Sequence, residues 1–287
     1  MKSGRLESRR KLELKQTKKG EPLKKRLIKK VVSLTRVGTK GLKNALDLQV
    51  REFEWRFPRL PKKAEGMRLL HISDTHLDGV PGLLDILLRK LEDLEYDYVC
   101  WTGDFRYDKG AYEEHALKPT LDLARFLTKK SRVFAVPGNH DCLQTLDALE
   151  REGVEVLFNS GLELVDSFYL AGTDDPHYFR NANFDEALKD RGSEDFTLAL
   201  VHSPEEVEEA SKRNVDFYLC GHTHGGQVCV PWLGIIYWGA RCARRFAGGK
   251  FEIAGMQGYT HKGTGSSNSP IRFNCPPEVV IHTLRGE

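Results

Sequence analysis

The sequence predicts an α/β (α+β) fold for residues 67–287, and three observations point to it. Apolar runs of strand length alternate with amphipathic helical patterns from Met67 onward. Shorter alternating runs at 154–158, 162–165 and 168–171 have no helices between them, so hairpins and mixed sheets are expected. With 287 residues, 40% apolar and 30% charged, the chain is large enough to bury a sizeable core.

The elements follow in order. The first ~20 residues are polar, basic and poor in bulky apolar side chains, a composition that predicts disorder. From Pro22, the residues Leu23, Leu27, Val31, Leu34, Leu42, Ala45 and Leu48 recur at roughly helical spacing, with Lys24, Lys25, Arg26, Lys29 and Lys30 between them. A basic amphipathic helix is expected there, broken or bent at Gly38 and Gly41. Phe53, Trp55 and Phe57 then alternate with charges before Pro58 and Pro61 close the segment. Buried strands are predicted at 68–73, 98–102, 132–136, 197–201 and 216–220. Leu83, Leu84, Leu87, Leu88, Leu91 and Leu94 form one helical face after Pro81, and Leu117, Leu121, Leu123, Ala124 and Leu127 form another. The chain thus divides into a basic arm, 1–66, and a catalytic-sized body, 67–287, with no internal repeat.

Charge sharpens this division. The net of +3 conceals 21 Lys+Arg against 7 Asp+Glu in residues 1–66, leaving 23 basic and 34 acidic residues in the body. A basic helix with trailing aromatics is a means of attachment to an anionic membrane surface through residues 22–57. The plainer alternative is a helix and strand that pack on the body with their lysines solvated. Nucleic acid is not expected, since no binding motif accompanies the charge. No stretch has transmembrane length, and no apolar segment follows the basic start, so a secretory signal is not expected. The six cysteines form no CxxC pair, and four sit in apolar runs, as in a reducing compartment. The expected location is cytoplasmic, peripheral on the inner face of the membrane.

The five main strand candidates end alike: in Asp74-Thr75-His76, Gly103-Asp104, Gly138-Asn139-His140-Asp141, His202, and Gly221-His222-Thr223-His224. Singly, each is ordinary turn chemistry. Together, at the carboxyl ends of strands where α/β ligands bind, they predict a site. Carboxylate, imidazole and amide oxygen without thiolate suit Mn²⁺ first, and also Fe²⁺, Zn²⁺ or Co²⁺. The donors are too many for one tetrahedral ion, so two divalent cations are expected, with a carboxylate between them.

The ordered set D-x-H, G-D, G-N-H-D, H and G-H-x-H resembles the calcineurin-like metallophosphoesterases, from Asp74 to His224. The resemblance implies a four-layer sandwich of two mixed β-sheets flanked by helices, with the metal site at the strands' carboxyl ends. It implies that Asp74, His76 and His224 hold one metal, that Asn139, His202 and His222 hold the other, and that Asp104 bridges them. It implies a metal-activated water as nucleophile and His140 as the group that steadies charge or protonates the leaving oxygen. Asp141 is expected to orient His140 or to cap the helix that follows. The stretches "GTDDPHYF", "GHTHGGQV" and "SPIRFNCPPEVV" are similar to the YkuE-like branch, which includes UDP-2,3-diacylglucosamine pyrophosphatases. A phosphodiester or pyrophosphate bond in a membrane-associated substrate is therefore expected. A phosphomonoesterase or nuclease of the same fold, and a non-catalytic metal-stabilised scaffold, are the alternatives. Arg106, Asp175 and His177 are candidate substrate contacts. Arg241, Arg244 and Arg245 lie in a Gly- and aromatic-rich loop that either caps the site or is simply solvated. His71 reads as a core residue, and His115 and His282 have no metal partners nearby in sequence.

Overall fold

The central strands read as unbroken apolar runs because both of their faces are covered. In the computed structural model, which describes residues 2–17, 35–107 and 114–287, β2 (Arg68–Ile72), β3 (Tyr98–Trp101), β4 (Arg132–Ala135) and β5 (Glu155–Val156) lie parallel in one sheet. β14 (Glu278–Gly286) runs antiparallel beside β2, and β1 (Gln49–Phe57) completes the edge parallel to β14. The second sheet has the order β12 (Gly249–Ile253), β13 (Met256–Thr260), β9 (Phe217–Cys220), β8 (Phe196–Leu200), β7 (Phe168–Gly172), β6 (Ser160–Val165). Its four inner strands are parallel, and its two edge strands are antiparallel to their neighbours.

Period-two alternation sorts the side chains into layers. Leu69, Cys100 and Phe134 of the first sheet meet Leu170, Leu198 and Leu219 of the second in the core between them. Their neighbours Leu70, Val99 and Val133 point the other way. They meet Leu83, Leu87 and Leu91 of α3 (Leu83–Glu92), Leu123 and Leu127 of α4 (Glu114–Thr128), and Leu146 and Leu149 of α5 (Leu143–Arg151). Ala199 and Tyr218 pack outward against Phe184 of α6 (Phe184–Ala187) and Val207 and Ala210 of α7 (Val207–Lys212). Two mixed sheets flanked by helices form the sandwich.

The differences from expectation lie mostly near the N-terminus. Disorder was expected for residues 1–20, yet Lys2–Thr17 form α1. It is held by polar anchors that composition does not register: the Glu13 carboxylate accepts from the Leu143 N–H at 3.2 Å, and Arg9 reaches deeper. Arg9 is buried, paired with Asp174, donating to the Asp141 carbonyl at 2.7 Å and lying 3.9 Å from the Phe179 ring. Of the expected basic helix, residues 18–34 lie outside the described residues. The part that is described, α2 (Arg36–Ala45), contains Gly38 and Gly41 in its buried face rather than at a break. A Cβ on Gly41 would stand 1.6 Å from Ile271, so glycine there permits close packing. The alternation at 49–57 forms β1, with Trp55 and Phe57 buried between the sheets. Residues 35–57, on the arm side of residue 67, therefore pack against the body. Finally, the run at 154–158 is not half of a hairpin. It contributes β5, parallel to β4 after the helix α5. The runs at 162–165 and 168–171 do form a hairpin, β6–β7.

Candidate metal centre

Three of the strand tails turn sharply as they leave their sheets. Asp74, His76, Asp104, His222 and His224 all have positive φ, between 40° and 69°. Left-handed backbone at a non-glycine residue costs on the order of 1 kcal/mol, and such residues cluster where function requires the geometry. Glycines clear the space beside them. A Cβ on Gly138 would lie 2.2 Å from Asp104 Oδ1, and one on Gly221 would lie 2.3 Å from Asp74 Oδ2.

The tails from both sheets converge. Asp74, His76 and His224 form one group of metal-capable atoms, and Asp104, His202 and His222 form another. Asn139 Oδ1 lies 3.1 Å from His202 Nε2 and joins the second group. Asp104 stands between the groups, with Oδ2 3.6 Å from His76 Nε2 and Oδ1 3.4 Å from His202 Nε2. His140 is grouped with His76 and Asp104, its Nε2 3.8 Å from Asp104 Oδ2.

Protons on the far sides of the rings indicate what the near sides are for. His76 Nδ1 donates to the Arg106 carbonyl at 2.6 Å, His202 Nδ1 to Thr102 at 2.7 Å, and His140 Nδ1 to Tyr107 at 2.7 Å. Each contact turns an Nε2 atom inward, the usual orientation of a metal-binding imidazole. Nitrogens then face one another across the cluster: His76 and His224 at 3.3 Å, and His202 and His222 at 3.2 Å. Asp74 Oδ1, fully buried, has no hydrogen-bond partner and points at His224 Nε2, 3.3 Å away. A carboxylate oxygen so placed needs a cation, and the donor set fits divalent ions. Burial lowers the pKa of His76 and brings His222 down to about 3, with His202 and His177 adding to the latter fall. Burial also opposes the charge of His202, but Asp104 and then Asp74 outweigh it and raise the pKa to about 10. Asp74 and Asp104 stay below the ordinary carboxylate range despite burial. His224 and His202 favour the charge of Asp74, and His202 and His140 that of Asp104.

The remaining candidates separate cleanly. Asp141 neither orients the His140 ring nor caps α5, whose N-cap is Cys142. Its carboxylate accepts from the backbone N–H groups of Asp104, Phe105 and Gly138 at 2.7–2.9 Å and so straps two ligand loops together. Burial and the nearby Asp104 push its pKa up to about 7. Arg106 is buried beside Cys142 and serves the site through its carbonyl, away from the cleft. Asp175 caps its own turn, accepting from the N–H groups of His177, Tyr178 and Phe179. His177 does line the cleft, with its ring 4.1 Å from that of His222 and its Nδ1 2.7 Å from Glu205. Arg241 pairs with Glu205 in turn at 2.6 Å, while Arg244 contacts the Leu233 carbonyl and Arg245 lies over Phe246.

Several supporting residues were not visible in the motif. Arg272, fully buried, reaches within 3.3 Å of His224 Nδ1 and holds the carbonyls of Lys262, Gly265 and Cys275. It belongs to the "SPIRFNCPPEVV" run, which was the only sequence signal for it. Behind His202, Trp55 Nε1 donates to His282 Nδ1 at 2.9 Å. That leaves the His282 proton on Nε2, 3.3 Å from His71 Nδ1, and the His71 proton on Nε2, 2.9 Å from Thr102 Oγ1. His71 and His282 are therefore satisfied core residues. The side chain of His115 lies outside the described residues.

Residues 67–226 match the sequence profile of the calcineurin-like phosphoesterases. A metallophosphoesterase of Aquifex aeolicus (strain VF5) is 30% identical over 254 residues, covering 84% of this chain and 93% of that protein. The phosphodiesterase YaeI of Escherichia coli (strain K12) is 30% identical over 230 residues, covering 74% and 75%. The metallophosphoesterase YkuE of Bacillus subtilis (strain 168) is 25% identical over 237 residues, covering 79% and 82%.

Proposed function

Since the chain belongs to the calcineurin-like phosphoesterases and is a metal-dependent phosphoester hydrolase, we propose that it cleaves a phosphodiester or pyrophosphate bond in a lipid-linked substrate, of which UDP-2,3-diacylglucosamine is an example. The observation that carries the catalytic part is the inward convergence of Nε2 atoms around Asp104, each fixed by a backbone carbonyl on its far side. Asp74, His76 and His224 would hold one divalent cation and Asn139, His202 and His222 a second, with one oxygen of Asp104 facing each; manganese suits the oxygen–imidazole set first. Cations held there neutralise charge at phosphorus and lower the pKa of water.

The protein's own groups do the rest. His140, held through Nδ1 to the Tyr107 carbonyl, presents Nε2 at the mouth of the cluster and, in its imidazolium form, would deliver that proton to the departing oxygen. Asp141 keeps Asp104 in register by binding its backbone N–H. His177, Tyr237, Trp238, Ser267 and Asn268 line the cleft together with His140, a space of about 330 Å³ that would admit a second ester substituent. The E. coli relative's name, phosphodiesterase, supports that preference. The basic stretch of residues 18–30 and the similarity to the YkuE-like branch support a lipid-linked substrate.

Hydrolysis of bis-p-nitrophenyl phosphate with added Mn²⁺ tests the chemistry. Asp104→Asn is expected to lower kcat by at least about 10²-fold, because it removes the charge between the two groups. Equal rates for wild type and variant would overturn the assignment. Side-by-side assays on UDP-2,3-diacylglucosamine, single-stranded DNA and a phosphopeptide test the substrate class.

A further inference from the structure

The largest exposed apolar side chains of the body are gathered in one place. Trp232 is 103% exposed, Tyr237 77%, Leu233 62% and Ile236 59%. They sit on and beside a small hairpin, β10 (Cys229–Val230) with β11 (Gly234–Ile235), whose strands pair antiparallel. Trp232 occupies its turn with φ 64°, a conformation that costs energy and holds the indole outward. The hairpin follows "GHTHGGQV" directly. Val228 at its foot and Tyr237 and Trp238 at its exit line the metal cleft.

An exposed tryptophan, leucine and isoleucine would be a liability on a surface that meets only water. The charge around them indicates the intended partner. Although the body carries 11 more acidic than basic residues, no Asp or Glu occurs from residue 217 to 251. Arg241, Arg244, Arg245 and Lys250 do occur there. The Arg244 guanidinium bonds the hairpin's own Leu233 carbonyl, and among the described residues neither Arg244 nor Arg245 has a carboxylate partner. Aromatic and aliphatic tips flanked by arginine match a bilayer interface, with indole at headgroup level and guanidinium on phosphate. The foot of the hairpin is firmly anchored: the Cys229 N–H donates to Phe273 at 2.9 Å, and Val228 bridges the same residue. Phe273 and Ile271 in turn pack on Gly41 of α2, the helix that follows the lysine-rich stretch in sequence.

We propose that the hairpin at residues 229–236 is a membrane-docking element that inserts Trp232, Leu233 and Ile236 into an anionic lipid surface and so brings the metal cleft to its headgroups. It rests on the lipid-linked substrate reading only for its purpose. Binding needs neither metal nor turnover.

The test uses the full chain and vesicles of phosphatidylglycerol and phosphatidylcholine, scored by co-sedimentation. The triple variant Trp232→Ser, Leu233→Ser, Ile236→Ser is expected to bind at least about tenfold more weakly, since it removes the apolar area that would enter the interface. Its hydrolysis of the soluble bis-p-nitrophenyl phosphate should stay within about twofold of wild type, as none of the three residues lines the cleft. Brominated phosphatidylcholine should quench tryptophan emission in wild type, and Trp232→Phe should bind while losing that quenching. Arg244→Glu with Arg245→Glu should remove the preference for anionic vesicles. Unchanged binding by the triple variant would place the contact elsewhere and overturn the proposal. So would absence of wild-type binding, or a wild-type dimer in light scattering that the triple variant dissolves. Loss of diester hydrolysis by wild type would count against the hydrolase reading and leave the vesicle result intact.

Discussion

His202 shows how much the site depends on what fills it. Without cations, Asp104 and Asp74 overcome burial and hold its proton up to about pH 10, against an ordinary 6.5. Between those values the folded protein binds a proton that the unfolded chain has released, so stability is fully present below pH 6.5 and is lost as pH rises toward 10. In chelator, the melting temperature should therefore fall between pH 7 and 9, and His202→Gln should flatten that fall. A slope that survives the substitution would show that the proton resides elsewhere. Metal should flatten the slope as well, because the ion takes the proton's place. The residues that converge there could be picked out because chemistry-bearing side chains at strand tails have few other reasons to recur. Asp141 was misjudged for a physical reason: its neighbour in sequence is His140, but its oxygens reach backbone N–H groups on another loop. Asp175 likewise serves its own turn. Arg272 was hidden because a buried arginine far along the chain reveals its partner only when the loop is folded over His224.

Among the elements, β1 best separates pattern from context. Its alternation of Phe53, Trp55 and Phe57 with Glu52, Glu54 and Arg56 is that of a half-buried strand, and the structure makes it one. What local sequence cannot supply is the partner, since β1 pairs with β14 more than two hundred residues away. Trp55→Ala should cost about 3–5 kcal/mol in urea unfolding, the usual loss for a large aromatic removed from a core. Trp55→Phe should cost less while removing the N–H that serves His282. A Trp55→Ala cost below about 1 kcal/mol would mean that β1 is peripheral to the core. α1 has the opposite history. Its composition is that of a solvated segment, and Arg9 with Glu13 gives it a place on the body.

For the whole molecule, the alternation of strands and helices indicated the class, and the family motifs implied the sandwich. Neither indicated how much of the arm packs against the body. Residues 35–57 are part of the packed structure, so deletion of residues 1–34 should leave a cooperative melt and diester hydrolysis within about threefold of the full chain. Deletion of residues 1–57 should abolish the melt, because it opens the core between the sheets at Trp55 and Phe57. The same melt for both truncations would show that residues 35–57 add nothing to the stability of the body. Among the described residues no helix is long and apolar enough to cross a membrane.

The place of β14 has a consequence for how the protein comes to exist. All seven candidate metal ligands precede residue 225, but β14, residues 278–286, is inserted between β1 and β2. During synthesis the donor atoms therefore leave the ribosome well before the strand that completes their scaffold. Until it arrives, β1 has no neighbour, β2 has one open side, and the Trp55 N–H has no histidine to accept its hydrogen bond. The nascent chain carries its ligands for some seconds, at about 5–20 residues per second, before it can hold them in place.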